Sequence, residues 1–188
     1  MKRKGVSYCA ICDGAFFKDA VVAVNGGGNT ALEDAMYLNK IAKKVYLIHR
    51  RDNFRADQII IDDLNRTLKS PDNKIEIIYD SVVKSINGKN MLESITVFNK
   101  KTNKEKNIKL DGFFIAIGRT PSTELVKGQV ELTYDGYIKT NQHLETNIKG
   151  VYAAGDIREK EVRQIITAAS DGAVASTYAS SYLRKIKK

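Results

Sequence analysis

The apolar positions of this chain repeat with two periods. "AVVAV" at 20–24 is a short apolar, β-branched run, which suits a strand buried on both faces. A glycine run follows it. In "NTALEDAMYLNKIA", Ala31, Leu32, Ala35, Met36 and Leu38 recur at helical spacing. "KVYLIH" then reads as a second buried strand. Strand, glycine turn, helix and strand within about 30 residues make a βαβ unit. "DNFRADQIIIDDLNRTL" predicts another helix, which stops near Ser70-Pro71 because the residue ahead of a proline avoids helical angles.

Strand periodicity takes over after that proline. "KIEIIYDSVVKSING", "LESITVFNKKTNKEKNIKL" and "DGFFIAIG" predict strands, with turns at Asn87-Gly88 and Thr102-Asn103. The fold class is therefore α/β: a Rossmann-like βαβ domain on a parallel sheet, with an inserted antiparallel meander. Thr120-Pro121 breaks the pattern, so a domain boundary is expected near Arg119, dividing the chain into 1–119 and 120–188. In the second part "ELTYDGYIKTN" predicts a short hairpin or strand and "KGVYAAGD" a strand with a glycine end. "RQIITAASDGAVASTYASSYLRKI" predicts a long helix. About seventy residues with so little sheet make a poor independent core, so this part is expected to complete something larger.

Composition narrows the functional classes. The 188 residues, 43% of them hydrophobic, suffice for one ordinary core or two small ones. No apolar run is long enough to span a bilayer. The basic start is not followed by an apolar segment and a small-residue cleavage site, so the expected location is cytoplasmic. The formal net charge is +9, spread along the chain with concentrations at "MKRK", "HRRDNFR" and "LRKIKK". The terminal runs read as solvated tails. No aromatics interleave with the basic residues, so neither nucleic acid nor membrane is an expected partner.

The central basic run gains meaning from its place in the βαβ unit. Gly26, Gly28 and Ala31 fit G-x-G-x-x-A. The first glycine permits the tight turn, the second lets backbone approach a pyrophosphate, and the small third residue lets helix pack on strand. The helix start favours the anion. Where an NAD site tends to place an acidic residue, this chain has His49-Arg50-Arg51, with Arg55 soon after. Guanidinium groups suit a 2′-phosphate, which points to NADPH. Asp52 offsets part of that charge.

Cys9 and Cys12 are the only cysteines, in "SYCAICDG". Zinc normally needs four ligands. The only histidines are His49, which falls in the basic cluster, and His143, so no metal is expected. C-x-x-C spacing lets two thiols close a small ring, and the adjacent Asp13 is a candidate group for managing protons. A redox pair ahead of an NADP-type unit suggests electrons moving from NADPH to a disulfide, with a flavin as the usual relay. "GVYAAGDI" offers Asp156 for a ribityl hydroxyl and the start of the next helix for the flavin.

In order, "GVSYCAICDGAFF", "VAVNGGGNTALEDAMYL", "VYLIHRRDNFRA", "FFIAIGRTP", "GYIKTN", "GVYAAGDIR" and "RQIITAASDGAVA" resemble bacterial-type, low-molecular-weight thioredoxin reductase. The resemblance covers essentially the whole chain. It implies a homodimeric flavoenzyme that uses NADPH and FAD to reduce the disulfide of thioredoxin, with the NADPH domain inserted into the FAD domain. It implies that Cys9 attacks the substrate disulfide, that Cys12 lies nearer the flavin and that Asp13 is the proton donor. It implies Gly26, Gly28, Asn29 and Thr30 as the pyrophosphate turn and His49, Arg50, Arg51 and Arg55 as the 2′-phosphate cluster. Gly155 and Asp156 become the flavin-contacting strand end, with Arg163, Gln164 and Ile165 beside the isoalloxazine.

The chain departs from the family at Ile11, where Thr is common between the cysteines, and at Asn25, where an apolar residue is usual. The family's N-terminal G-x-G-x-x-G strand for FAD has no counterpart in this sequence. Residues 120–188 are therefore expected to be the C-terminal remnant of the FAD domain, with turnover by this chain alone impaired or absent and no dimer expected of it. Two other readings stand beside this one. One is an isolated NADPH-binding module without catalysis. The other is a related dithiol flavoenzyme of the alkyl hydroperoxide reductase type.

Overall fold

The computed structural model describes residues 4–186, so the ends of the two terminal basic runs, at 1–3 and 187–188, lie outside the described residues. The chain divides into two compact units, Met1–Gly118 and Arg119–Lys188. In the first, β1 (Val6–Ser7) leads to a single helical turn, α1 (Ala10–Asp13), and a 3-10 turn at Gly14–Phe17. Then follow β2 (Val21–Gly26), α2 (Asn29–Asn39), β3 (Lys44–Ile48), α3 (Gln58–Leu68) and β4 (Ile75–Ile78). Next come β5 (Ser81–Asn87), β6 (Ser94–Asn99), β7 (Lys104–Lys109) and β8 (Gly112–Ala116).

β1, β8, β2, β3 and β4 lie side by side, in that order, as a five-stranded parallel sheet. β5, β6 and β7 form a separate antiparallel meander. Alternation along the strands explains how both faces of the parallel sheet are covered. Val22, Val24, Leu47 and Phe114 pack against Ala31, Leu32, Ala35 and Leu38 of α2. Ala23, Ile48 and Phe113 point the other way, into a second cluster with Ile95, Val97 and Ile108 of the meander. The meander is thus the cover of one sheet face. β5 ends at Asn87 ahead of Gly88 (φ +142°), and Asn103 takes a left-handed conformation (φ 55°) in the β6–β7 turn.

Two elements of the first unit differ from the expectation. α2 stops at Asn39 instead of continuing to Ala42, and α3 begins at Gln58 instead of Asp52. Several polar groups of residues 49–57 are engaged elsewhere, chiefly by the glycine turn. Arg55 N–H donates to the Gly27 carbonyl at 2.8 Å, Asp57 N–H donates to Asn29 Oδ1 at 2.8 Å, and His49 bonds the Asn53 carbonyl.

The second unit has little regular structure before α4 (Ile165–Ile186). The predicted hairpin is reduced to a Leu132–Ile138 bridge, closed by Thr133 N–H on the Tyr137 carbonyl at 2.7 Å. The predicted strand at 149–156 does not form; Tyr152 makes one bridge, to Glu145. A strand needs a ladder, and within this unit only that short segment lies alongside it. Val130, Ile138 and Ala153 form the small apolar core. Among the described residues, no helix is long and apolar enough to cross a membrane.

Phe114 sits at 0% exposure on β8 and meets Phe17 edge-to-face, ring centroids 5.3 Å apart, which ties the segment after the cysteines to the sheet. Phe114→Ala is expected to cost about 3–5 kcal/mol in chemical denaturation, with faster amide exchange in Gly14–Phe17 than in α3.

Candidate functional site

The cysteine pair is closed as a disulfide, with Cα atoms 5.3 Å apart. Cys9 caps α1, and its Sγ accepts the Cys12 N–H at 3.1 Å. Ile11 and Cys12 face solvent while Cys9 is half-buried, so the pair is open to solvent on the Cys12 side. Asp13 is held beneath. Its Oδ2 accepts the Ser7 hydroxyl at 2.6 Å, and its own N–H donates to the Cys9 carbonyl at 3.2 Å. Ser7, buried on β1, also accepts the Cys9 N–H at 3.1 Å. Cys9, Cys12 and Asp13 therefore share one short segment, and Ser7 joins them as a residue that spacing alone did not single out.

The glycine turn has a separate role for each residue. A Cβ on Gly26 would lie 2.3 Å from the Ala116 carbonyl oxygen and 2.7 Å from Ala31 Cβ, so strand, strand and helix meet there only without a side chain. A Cβ on Gly27 would lie 2.2 Å from the His49 ring. Gly28 has nothing within 4 Å of that position, which leaves its outer side open to an approaching group. Gly28 caps α2, and its carbonyl takes the Ala31 and Leu32 N–H groups. The N–H groups of Asn29 and Thr30 open the helix, where first-turn amides lack intrahelical acceptors and favour an anion. The Asn29 side chain is committed instead to Asp57, donating to Oδ2 at 2.7 Å.

His49, the first residue of the expected 2′-phosphate cluster, lies inside the fold. It is 5% exposed, beneath Gly27, and its Nε2 bonds the Asn53 carbonyl at 2.9 Å. A carbonyl only accepts, so Nε2 carries the hydrogen. Burial lowers the His49 pKa, the neighbouring Arg50, Arg51 and Arg55 charges lower it further, and the Asn53 bond opposes them. The imidazole is a neutral support for the turn. Arg50, Arg51 and Arg55 are exposed and form no salt bridge among the described residues. Asp52 does not neutralise them, since its Oδ2 sits 3.0 Å from Lys101 Nζ. An open glycine turn beside three uncommitted guanidinium groups fits a phosphorylated dinucleotide.

In the second unit Gly155 adopts φ +83°, and its N–H donates to Asp171 Oδ2 at 3.0 Å. Asp156 is exposed, with Arg119 Nη1 3.9 Å away. Arg163 lies over the Tyr137 ring at 4.1 Å, and its buried Nε has no hydrogen-bond partner among the described residues. Gln164 N–H bonds Thr167 Oγ1 at 3.1 Å just ahead of α4, and Ile165 opens that helix at 88% exposure. The organising residue is Asp171, which the sequence reading passed over. It takes both arms of Arg158, at 2.8 and 2.9 Å, and Lys160 at 2.8 Å. Arg158 and Lys160 lie 13 and 11 positions away, beyond the reach of a helical or strand repeat.

The chain matches the model of the pyridine nucleotide-disulphide oxidoreductases over residues 1–172. It is 42% identical to the "34.2 kDa protein in rubredoxin operon" of Clostridium pasteurianum, over 96% of this chain and 57% of that protein. It is 44% identical to the thioredoxin reductase of Rickettsia prowazekii, over 96% of this chain and 58% of the relative. The crystal structure of thioredoxin reductase from Streptococcus pyogenes superposes with a TM-score of 0.86 at 43% identity, over 97% of this chain and 58% of that one. The chain thus spans less than two thirds of the length of these relatives.

The Asp171 cluster carries a pH prediction. Arg158 first, with Lys160 and the Gly155 N–H, holds the Asp171 carboxyl well below its ordinary 3.8, against the opposing effect of burial. A depressed native pKa means that the unfolded chain binds the proton more readily, so the contribution is present above 3.8 and is lost as pH falls further. Acid titration followed by signals of the second unit should show that loss. Asp171→Ala, which leaves Arg158 and Lys160 facing no carboxylate, is expected to cost that unit about 3–5 kcal/mol at neutral pH in urea unfolding.

Proposed function

The chain belongs to the pyridine nucleotide-disulphide oxidoreductase family, and on that premise we propose that it is the NADPH-binding, dithiol-bearing part of a thioredoxin-disulfide reductase. One observation carries this reading. β1 and β2 are parallel members of one sheet, so the disulfide that follows β1 and the glycine turn that ends β2 leave by the same edge. Relatives named thioredoxin reductase add support.

In this reading the Gly26–Gly28 turn and the first amides of α2, at Asn29 and Thr30, hold a pyrophosphate. Arg50, Arg51 and Arg55 hold the 2′-phosphate as charged, planar donors, with His49 packed beneath as a neutral floor. Gly155, Asp156, Arg163, Gln164 and Ile165 would hold the flavin. An unpartnered Arg163 Nε, an exposed carboxylate at Asp156 and the apolar start of α4 fit such a group. Bound at these residues, NADPH would supply a hydride and FAD would relay it as the electron pair needed to open a disulfide.

The rest of the chemistry belongs to side chains. Cys9, as thiolate, attacks a sulfur of the thioredoxin disulfide and forms a mixed disulfide. Cys12 then attacks Cys9 Sγ, which releases thioredoxin as a dithiol and re-forms the Cys9–Cys12 bond. Asp13, beside Cys12, exchanges the proton. A cytoplasmic setting, where thiols are kept reduced, suits this direction of electron flow.

Two measurements test the reading. Titration with NADPH and NADH should show a preference for NADPH of about a hundredfold, most of it lost in an Arg50→Ala, Arg51→Ala variant. Equal affinity in the unaltered chain sinks the NADPH assignment. Separately, the chain is reduced with a thiol, desalted and mixed with oxidised thioredoxin. It should deliver one dithiol equivalent, and Cys9→Ser should deliver none; retained transfer by that variant overturns the role of Cys9.

A further inference from the structure

We propose that Ser7 is a positioning residue for the proton that the Cys9–Cys12 pair takes up when it opens, its hydroxyl holding the Asp13 carboxyl in place in both protonation states. The inference rests on reading Asp13 as the proton donor. Ser7 is 5% exposed and lies on β1, in register with Phe114 of the neighbouring strand β8. A hydroxyl there is fixed by its strand and must find partners within the protein.

Three groups surround it. The Cys9 N–H donates to Ser7 Oγ at 3.1 Å, Asp13 Oδ2 lies at 2.6 Å and the Cys9 carbonyl at 3.3 Å. A hydroxyl has one hydrogen and two lone pairs. When Asp13 is ionised, the hydrogen points to the carboxylate in a short, charge-assisted bond. When Asp13 is protonated, its own O–H donates to Ser7 Oγ and the Ser7 hydrogen turns to the Cys9 carbonyl. Oγ then accepts from Asp13 and from Cys9 N–H and donates once, so its capacity is filled. Rotation of one hydroxyl accommodates the change, and the carboxyl stays where it is. Because Ser7 also holds the Cys9 amide, the same oxygen keeps the proton donor and the cysteine backbone in fixed relation.

The step it serves is balanced. A thiolate attacks one sulfur of the Cys9–Cys12 bond, the bond breaks, and its electron pair leaves on the other sulfur, which takes the proton from Asp13. The second thiol of the same reductant displaces the first sulfur as the reductant closes to its cyclic disulfide, and Asp13 recovers a proton from water.

Reduction of the full chain by excess dithiothreitol at neutral pH, followed by thiol alkylation and mass analysis, reads this step without nucleotide or flavin. Ser7→Ala is expected to slow it about tenfold, and Asp13→Ala at least as much. In an Asp13→Ala background Ser7→Ala should add nothing. Ser7→Thr, which keeps the hydroxyl, should restore the rate, while Ser7→Val, of the same shape without it, should stay slow. That Thr and Val pair also carries the test should Ser7→Ala fail to fold, with circular dichroism melts reporting folding for every variant. An unchanged rate in Asp13→Ala overturns the proton-donor reading and this inference with it. A slow Asp13→Ala beside a normal Ser7→Ala, an undiminished Ser7 effect in the Asp13→Ala background, or equal rates for Thr and Val overturn the inference alone.

Discussion

The pairing of β2 with β8 is the contact on which the first unit depends. The two strands run parallel from Val22 opposite Gly112 to Gly26 opposite Ala116, although they are far apart in sequence. Glycine stands at both ends of this register. A side chain at Gly26 would strike the Ala116 carbonyl and Ala31, and one at Gly112 would lie 2.6 Å from the Phe17 ring. The absence of side chains lets the strand, the helix and the aromatic turn close together. β8 then offers its other edge to β1, and a short strand becomes part of a large sheet. All five strands are parallel, so the segments carrying the cysteines, the glycine turn and the arginines emerge along one edge. Strand order also reverses at β2, where ligands of open α/β sheets tend to sit.

Residues 49–57 show how one loop does two things. Their backbone and inner side chains brace the glycine turn, through Arg55 N–H on Gly27, Asp57 on Asn29 and the His49 ring under Gly27. Their outer side chains carry the positive charge. A buried neutral imidazole beneath exposed guanidinium groups avoids adding another desolvated cation to the cluster. Asp52, the one carboxylate within the basic run, is turned to Lys101 at the tip of the meander. The meander therefore covers a sheet face and draws a counter-charge away from the arginines.

The second unit is organised by charge where the first is organised by apolar packing. Among the described residues of α4, Asp171 is the buried one, and it gathers Arg158, Lys160 and the Gly155 amide. A carboxylate that satisfies three donors fixes the path of residues 155–160 against the helix. Nonpolar side chains at the start of α4, Ile165 and Ile166, remain exposed.

Spacing along the chain was enough to determine the βαβ order, the antiparallel meander and the pairing of Cys9 with Cys12. Periods of 2 and 3.6, turn chemistry and a three-residue separation are local properties, present before any long-range contact forms. Only the tertiary structure decided that α3 starts late, that 149–156 lacks a ladder, that His49 lies inside, and that Ser7 and Asp171 hold their neighbours. Each of these depends on which groups compete for a buried donor or acceptor. Gly27 and Asn29 claim the loop that periodicity assigned to a helix, and Arg158 and Lys160 claim the Asp171 carboxylate on α4. Burial and hydrogen-bond satisfaction are set by residues distant in sequence, and a one-dimensional pattern does not record them.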